Sequence, residues 1–311
     1  MARKLIETHC HLIGASPISE NLGDKVRTLS DKIAFRTRYP DLYAQRIKLA
    51  PIDLCDALLA DMDNSGVTHA IIQQDYGRGD NDMVAAQVAK RPDRFFGLVK
   101  MQRYTDFINR MPTREEAPAY REFAVKEIRR GIEDLGLVGV GEFFARVFTS
   151  EVNPDNILED FRPIFNALNE YKAPIQIQTA WTQFPHNLFY GDPLWVDEIA
   201  GEYPRVPIIL TKMGRGFESL FDNALMVAMR NANVYFDIVD TNANHLRRAI
   251  DAIGSDRIMF GSDWCCITRW VREPADCYQR CLNLLDQANA TPEERENIEW
   301  RTAAKVFNLK I

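Results

Sequence analysis

The chain is predicted to fold as one (β/α)8, or TIM, barrel, because short apolar runs alternate with helical segments along almost its whole length. Apolar strands that alternate with amphipathic helices require a parallel sheet built through right-handed crossovers. The 311 residues leave roughly 39 residues for each of eight units, slightly more than a plain barrel needs. A doubly wound sheet is disfavoured, since no glycine-rich fingerprint follows the first run. The eight runs are Leu5–Thr8, His69–Gln74, Phe95–Met101, Leu137–Phe144, Pro174–Thr179, Pro207–Lys212, Asn233–Val239 and Arg257–Asp263.

Three segments between these runs have the apolar spacing of amphipathic helices. Ile52–Asn64 places four apolar side chains on one face and is followed by Gly66, a residue typical of the position after a helix end. Asn156–Tyr171 and Ala243–Ile253 show the same spacing. The alternation has no linker within it, so residues 1–311 are predicted to form a single domain.

The length in excess of a plain barrel lies in three segments that each follow a predicted strand. They are residues 13–50, 102–130 and 180–193, after strands one, three and five. Segments after the strands lie at the C-terminal face of a barrel, where barrel enzymes bind their substrates. We therefore expect extended loops that cover a substrate.

Composition argues against several classes of partner. The formal net charge is −6 and no run of Lys and Arg is present, so nucleic acid is not an expected partner. No apolar stretch approaches the roughly 18 residues that cross a bilayer, and no signal peptide precedes the first strand, so no membrane partner is expected. Six cysteines without metal-knuckle spacing are typical of reduced thiols in a cytoplasmic protein. The number of subunits stays open, with a homo-oligomer as one alternative.

Two histidines and two carboxylates at strand ends form a candidate metal site. His9 and His11 are two residues apart, so on a strand they face the same side, with Cα atoms roughly 6.6 Å apart. In a closed barrel the last strand pairs with the first, which brings Asp263 beside them, and Glu142 comes from across the mouth. This ligand set suits Zn²⁺ as the first expectation, with Mn²⁺ or Fe²⁺ as alternatives.

Other roles remain open for the two carboxylates. Asp263 is also a candidate catalytic base, or a structural carboxylate that caps the following turn. Glu142 has the alternative of an internal ion pair with Lys212 or Lys100, since an unpaired charge inside a barrel is costly. Lys212 is in turn either a catalytic group that holds a substrate oxygen or the partner in that ion pair.

Further residues near the strand ends are candidates for substrate binding or proton transfer. Arg215 and Lys100 carry charges suited to a small substrate with an anionic or carbonyl group, although Arg215 is equally typical of a solvated loop. Gln178 and Trp181 are expected to line the pocket. His186, in the segment after strand five, is a candidate catalytic proton shuttle or ligand.

Three segments resemble the amidohydrolase superfamily, specifically its amidohydrolase-2 branch of metal-dependent hydrolases and nonoxidative decarboxylases. They are His9-Cys-His11, Leu59–Ile72 and Gly254–Trp264. Glu142 is similar to the strand-four glutamate of TatD-like nucleases in the same superfamily. The resemblance implies a TIM barrel with a metal ion at its mouth and a metal-activated water as nucleophile.

The chain departs from that family at two strand ends. Gln178 and Lys212 stand where the family usually has histidines. Glutamine is a poor ligand and a protonated lysine cannot bind a metal, so a single divalent ion is expected. The first expectation is a hydrolase of a small amide, ester or lactone. The alternative is a metal-dependent nonoxidative decarboxylase of an aromatic or unsaturated carboxylic acid. The third is a barrel that has lost its chemistry and acts as a binding protein.

Overall fold

The fold is built on one nine-stranded sheet. The computed structural model describes residues 3–15, 26–47, 51–74, 79–102, 112–152, 154–182, 187–264 and 277–311. Its strands are β1 (Ile6–Ala15), β2 (Pro51–Asp53), β3 (His69–Gln74), β4 (Phe95–Val99), β5 (Gly139–Phe143), β6 (Ile175–Gln178), β7 (Ile208–Thr211), β8 (Val234–Asp237) and β9 (Ile258–Met259). The strand order is β2-β1-β3-β4-β5-β6-β7-β8-β9. All neighbours pair in parallel except β2, which is antiparallel to β1. The eight predicted strands are therefore β1 and β3 to β9.

The first and last strands meet and close the sheet. The backbone N–H of Asp263 donates to the carbonyl of His9 at 2.8 Å, and that of His11 donates to the carbonyl of Trp264 at 2.6 Å. A parallel bridge joins Cys10 to Trp264 at the same place. With helices between successive strands, this arrangement confirms the predicted (β/α)8 barrel.

Helices separate the strands, and the described α-helices include the three that apolar spacing predicts. The helix Ala243–Ile253 has the predicted bounds. The predicted helix Ile52–Asn64 begins instead at Cys55, because Pro51–Asp53 pairs with β1 as a strand. Gly66 follows its last turn with φ of 74°, the left-handed conformation that glycine adopts without strain. The α-helices are Leu29–Ile33, Phe35–Arg38, Pro40–Ile47, Cys55–Ser65, Asn81–Lys90, Ala117–Glu133, Ile157–Tyr171, Leu188–Gly191, Val196–Glu202, Glu218–Arg230, Ala243–Ile253, Cys277–Gln287, Pro292–Glu296 and Thr302–Val306.

The segments predicted as extended loops contain regular structure. Residues 13–50 hold the end of β1 and three short helices. Residues 102–130 include the start of the helix Ala117–Glu133, and residues 180–193 include a short helix. Outside the described part of the chain lie residues 16–25, 48–50, 103–111 and 183–186. Coverage of a substrate by these segments stays a prediction.

Apolar side chains fill the N-terminal end of the barrel interior. Ile6, Leu98 and Ile209 are fully buried there and pack against Phe307 at the C-terminus of the chain. Neighbouring strand residues such as Leu210 belong to the larger cluster between the sheet and the helices. Because one end of the barrel is filled in this way, the polar strand ends collect at the opposite, C-terminal face.

Among the described residues, no helix combines the length and the apolar character needed to cross a bilayer. The cytoplasmic location and the lack of a nucleic-acid partner stay predictions.

Candidate metal centre and active site

Two β-bulges direct side chains into the mouth of the barrel. β1 has one extra residue within residues 7–10 relative to β3, and β5 has one within residues 140–143 relative to β6. A bulge shifts the alternation of side chains and is common next to active sites. His9 and Glu142 lie in these two bulges and approach each other across the barrel, with 3.5 Å between Nε2 and Oε1.

The residues predicted to hold a metal come together at one point. Ligand atoms of His9, His11 and Asp263 all lie within 4.8 Å of one another, and all three side chains are buried. Oδ1 of Asp263 lies 3.2 Å from Nε2 of His11 and 3.9 Å from Nε2 of His9. Oε2 of Glu142 lies 3.7 Å from Nε2 of His11. The structure thus gathers the four predicted residues, although their role as ligands remains a proposal.

Both imidazoles are oriented by partners on their Nδ1 atoms. Nδ1 of His9 lies 2.7 Å from Oδ2 of Asp237, and Nδ1 of His11 lies 2.7 Å from the carbonyl oxygen of Gln74. Because a carbonyl only accepts, Nδ1 of His11 carries the proton, and Nε2 faces the cluster as it does in metal-binding histidines. Sequence reasoning assigned no role to Asp237, although its place at a strand end was a usable signal.

The donor set fits a divalent metal ion. Nε2 of His11 faces Oδ1 of Asp263 at 3.2 Å, so a nitrogen and a carboxylate oxygen that can both bind a cation lie side by side. Oδ1 of Asp263 is buried and accepts no hydrogen bond from the described residues. Imidazole nitrogens with carboxylate oxygens are the usual ligands of Zn²⁺, Mn²⁺ and Fe²⁺ in proteins.

The ammonium group of Lys212 lies among the same side chains. Nζ lies 2.5 Å from Oε1 of Glu142, 3.6 Å from Oδ2 of Asp263 and 3.4 Å from Nε2 of His9. The side chain is buried, so the internal ion pair considered from the sequence is present in this structure. Lys212 and Asp263 both have left-handed backbone conformations, with φ of 73° and 59°, which are strained for these residue types and typical of functional sites.

Opposite charges keep this buried cluster ionised. Burial raises the pKa of Glu142 and of Asp263, but the charge of Lys212 outweighs it, and both pKa values lie below the usual range. Burial lowers the pKa of Lys212, but Asp263 and Glu142 outweigh it and raise the pKa. Burial and Lys212 lower the pKa of His9, whereas Glu142 and Asp237 raise it to about 9.

Two predicted substrate-binding residues make contacts at the rim of this cluster. Nζ of Lys100 donates to the carbonyl oxygen of Glu142 at 3.4 Å and lies 5.3 Å from the centre of the Phe144 ring. Oε1 of Gln178 accepts from the side chain of Asn187 at 3.1 Å, and its Nε2 donates to the carbonyl of the next residue. The described contacts therefore tie Gln178 to its own strand end rather than to the metal cluster.

Arg215 and Trp181 form a separate stacked pair. The guanidinium carbon lies 3.8 Å from the centre of the Trp181 ring, and Nη1 donates to the carbonyl of Trp181 at 3.0 Å. Nε of Arg215 donates to Oδ2 of Asp240 at 2.9 Å. Substrate binding by this pair stays a prediction, and His186 lies outside the described residues.

The chain is similar to known decarboxylases in sequence and in structure. It is 24% identical over 339 residues to gamma-resorcylate decarboxylase of Rhodococcus jostii (strain RHA1), covering 91% of this chain and 95% of the relative. A structure of 2,6-dihydroxybenzoate decarboxylase complexed with 2,6-dihydroxybenzoate matches with a TM-score of 0.65 at 19% identity, covering 99% of this chain and 100% of the other. A dihydroxybenzoic acid decarboxylase of Polaromonas sp. JS666, with bound manganese and the inhibitor 2-nitroresorcinol, matches with a TM-score of 0.62 at 18% identity, covering 99% and 97%. At these identities the structures establish the shared fold alone.

The comparisons correct two expectations from the sequence. The expectation of a hydrolase was wrong, because the sequence relatives that match across the chain are gamma-resorcylate decarboxylases, as in the alternative. Zinc as the first choice of metal finds no support, since the Polaromonas neighbour holds manganese. The physical reason is common to both errors: the same strand-end histidines and carboxylates bind several divalent ions and serve either reaction.

The match to a family model extends over nearly the whole barrel. The model described as amidohydrolase matches residues 6–309, from the first residue of β1 to just beyond the final helix. This confirms the resemblance that three short sequence segments indicated. The chain therefore belongs to the amidohydrolase family.

Proposed function

We propose that this protein is a metal-dependent, nonoxidative decarboxylase of a small aromatic carboxylic acid. The observation that carries the proposal is the buried cluster at the barrel mouth. It places ligand atoms of His9, His11 and Asp263 within 4.8 Å of one another and beside the positive charge of Lys212. The charge of this cluster suits an anionic substrate, and the chain is similar to decarboxylases.

One divalent ion, Mn²⁺ in the first instance, would be held by Nε2 of His9, Nε2 of His11 and a carboxylate oxygen of Asp263. When bound, it supplies Lewis acidity at substrate oxygen atoms. Glu142 lies within 4 Å of both imidazoles and brings a second negative charge. The ion pair between Glu142 and Lys212 balances that charge, which keeps the pocket from becoming too negative for an acid to enter.

Lys212 is proposed to orient the carboxylate that leaves. Its ammonium group has three donors, and in this structure they are directed among two carboxylates and one imidazole. An incoming substrate carboxylate can take the place of one of these partners without leaving the ammonium group unpaired. The left-handed backbone at Lys212 fixes the direction in which the side chain enters the mouth.

The reaction also needs a proton at the carbon that loses the carboxyl group. When the carbon–carbon bond breaks, its electron pair stays on the ring carbon, which takes up one proton as CO₂ leaves. We assign this proton to the ammonium group of Lys212, which stays protonated in the cluster, and Oδ2 of Asp263, 3.6 Å from Nζ, relays it to the ring carbon. Lys212 then regains a proton from solvent, so each turnover takes up one proton.

The test is to incubate the Mn²⁺-loaded protein with 2,6-dihydroxybenzoate and other hydroxybenzoates, and to measure CO₂, the arene product and proton uptake. The expected result is one CO₂ released and one proton taken up for each arene formed. The double variant His9→Ala/His11→Ala should lose both the metal and turnover. His69→Ala, a histidine at the opposite end of the barrel, is the matched control and should keep both. Hydrolysis of esters or lactones without any CO₂ release, or full turnover in the double variant, would overturn the proposal.

A further inference from the structure

A buried carboxylate lies at the barrel seam, where β1 meets the segment after β9. It contacts both of these segments, which carry candidate metal ligands. Glu7 is fully buried. Its Oε1 accepts a hydrogen bond from the backbone N–H of His9 at 2.6 Å and another from the backbone N–H of Ser262 at 3.0 Å. His9 is itself a candidate ligand, and Ser262 immediately precedes Asp263. One oxygen atom thus connects β1 to the segment after β9.

The bulge in β1 explains why a side chain fills this role. The pairing of β1 with β3 slips by one residue within residues 7–10, so the regular ladder is interrupted at His9. A buried backbone N–H must find another acceptor where a ladder is interrupted. Oε1 of Glu7 accepts from it, and the same oxygen reaches the N–H of Ser262 across the seam.

The position of the Glu7 side chain separates it from the ligand cluster. Its charge acts on Tyr278 and Cys281 of the helix Cys277–Gln287, which packs outside the barrel. Cys10, on the other side of the bulge, belongs to the same outer core, whereas His9 faces the mouth. Glu7 therefore lies behind the site, on the backbone side of the ligands.

We propose that Glu7 is a positioning residue that sets the separation between the ligand atoms of His9 and Asp263. This inference rests on the proposed metal centre. A buried carboxylate is unfavourable without donors, and the donors seen here, two backbone N–H groups and the side chain of Ser262, belong to the segments that carry the ligands. Loss of the acceptor would let the two strands part at the seam and would widen the space between the imidazoles and Asp263. The metal would then bind more weakly even in a folded barrel.

The test measures the dissociation constant for Mn²⁺ from the electron paramagnetic resonance signal of free Mn²⁺, together with the thermal unfolding of the metal-free protein. Glu7→Met removes the acceptor at similar volume, and we expect Mn²⁺ binding to weaken about 10–100-fold. Glu7→Gln keeps an acceptor oxygen and should restore most of the affinity. Glu7→Asp keeps the carboxyl group but shortens the reach by one methylene group, and we expect about tenfold weaker binding. This last variant decides the matter if Glu7→Met does not fold.

A matched control comes from a second buried carboxylate. Glu299 pairs with Arg3 at 2.6 Å near the C-terminus. Glu299→Met should lower the unfolding temperature as Glu7→Met does, but leave the Mn²⁺ affinity unchanged. Unchanged affinity in both Glu7→Met and Glu7→Asp, or an equal loss in Glu299→Met, would overturn the positioning role. A parent protein that binds no Mn²⁺ would refute the proposed metal centre instead.

Discussion

Replacing Asp237 with asparagine tests how the orientation of one imidazole controls metal binding. Oδ2 of Asp237 accepts from Nδ1 of His9, while Oδ1 accepts from the backbone N–H groups of Lys212 at 2.7 Å and Val239 at 3.2 Å. Asparagine has one acceptor oxygen, and the two backbone donors require it. Its NH₂ group then faces Nδ1 of His9. Because NH₂ donates, a neutral His9 must carry its proton on Nε2, the nitrogen that faces the cluster.

The expected loss of affinity follows from this change of tautomer. A histidine with its proton on Nε2 cannot offer that nitrogen to a metal, and His9 regains the ligating tautomer only by breaking its contact with the new amide group. Loss of such an outer partner typically weakens metal binding 10–100-fold, or about 1.4–2.7 kcal/mol. The two backbone hydrogen bonds are retained, so the free energy of unfolding of the metal-free protein should fall by less than about 2 kcal/mol.

The assay compares Mn²⁺ dissociation constants of the parent, Asp237→Asn and a control by calorimetric titration. Asp192→Asn is the matched control, since this carboxylate also accepts from a side chain and a backbone N–H, those of Asn223 and Leu194. The control should bind Mn²⁺ as the parent does. If Asp237→Asn bound Mn²⁺ as tightly as the parent, the reasoning would be refuted, because Asp237 would then not determine which nitrogen of His9 carries the proton.

Three further predictions concern stability, each measured by urea unfolding. Hydrogen bonding to Arg247 lowers the pKa of Glu294 to about 2. The ionised Glu294 therefore contributes fully to the free energy of unfolding above the unfolded-state pKa, and this contribution is lost as the pH falls toward 2. Because the pair is partly exposed, Glu294→Gln should lower the free energy of unfolding by about 0.5–1 kcal/mol at pH 6 and by clearly less at pH 3. A larger loss of stability at pH 3 than at pH 6 would contradict this. In Gly141→Ala the new Cβ would clash with Oε1 of Gln73, which should lower the free energy of unfolding by about 1–3 kcal/mol. An unchanged urea midpoint would show that the Gln73 side chain does not lie this close to Gly141. Phe161→Ala removes a fully buried ring that packs on other aromatic rings, and should cost about 3–5 kcal/mol; a loss below about 1 kcal/mol would show that the cluster is not packed as described.

The barrel and the closure of its seam were predictable because they depend on periodicity. Apolar runs at regular intervals give parallel strands, and a closed barrel must pair its last strand with its first. Asp263 could therefore be placed beside His9 and His11 from the sequence alone, as the structure has it. The helix Ala243–Ile253 was predictable for the same reason.

Contacts that depend on bulges and side-chain reach were not predictable. The alternation rule alone would place Glu7 and His9 on the same face of β1, but the bulge separates them. The hydrogen bond between His9 and Asp237 joins strands that are far apart in the sequence, and no local sequence pattern indicates it. The direction of the Lys212 side chain, and so its ion pair with Glu142, depends on a left-handed backbone conformation at a strand end. Periodicity does not reveal such a conformation. The reaction was predicted wrongly because one set of metal ligands serves both hydrolysis and decarboxylation.

The most direct test of the account is the location of Mn²⁺ by anomalous diffraction from crystals of the metal-loaded protein. We expect one peak within bonding distance of Nε2 of His9, Nε2 of His11 and an oxygen of Asp263. A peak at another place, or none within reach of these three side chains at saturating Mn²⁺, would contradict the central claim that the first and last strands of the barrel jointly bind the ion.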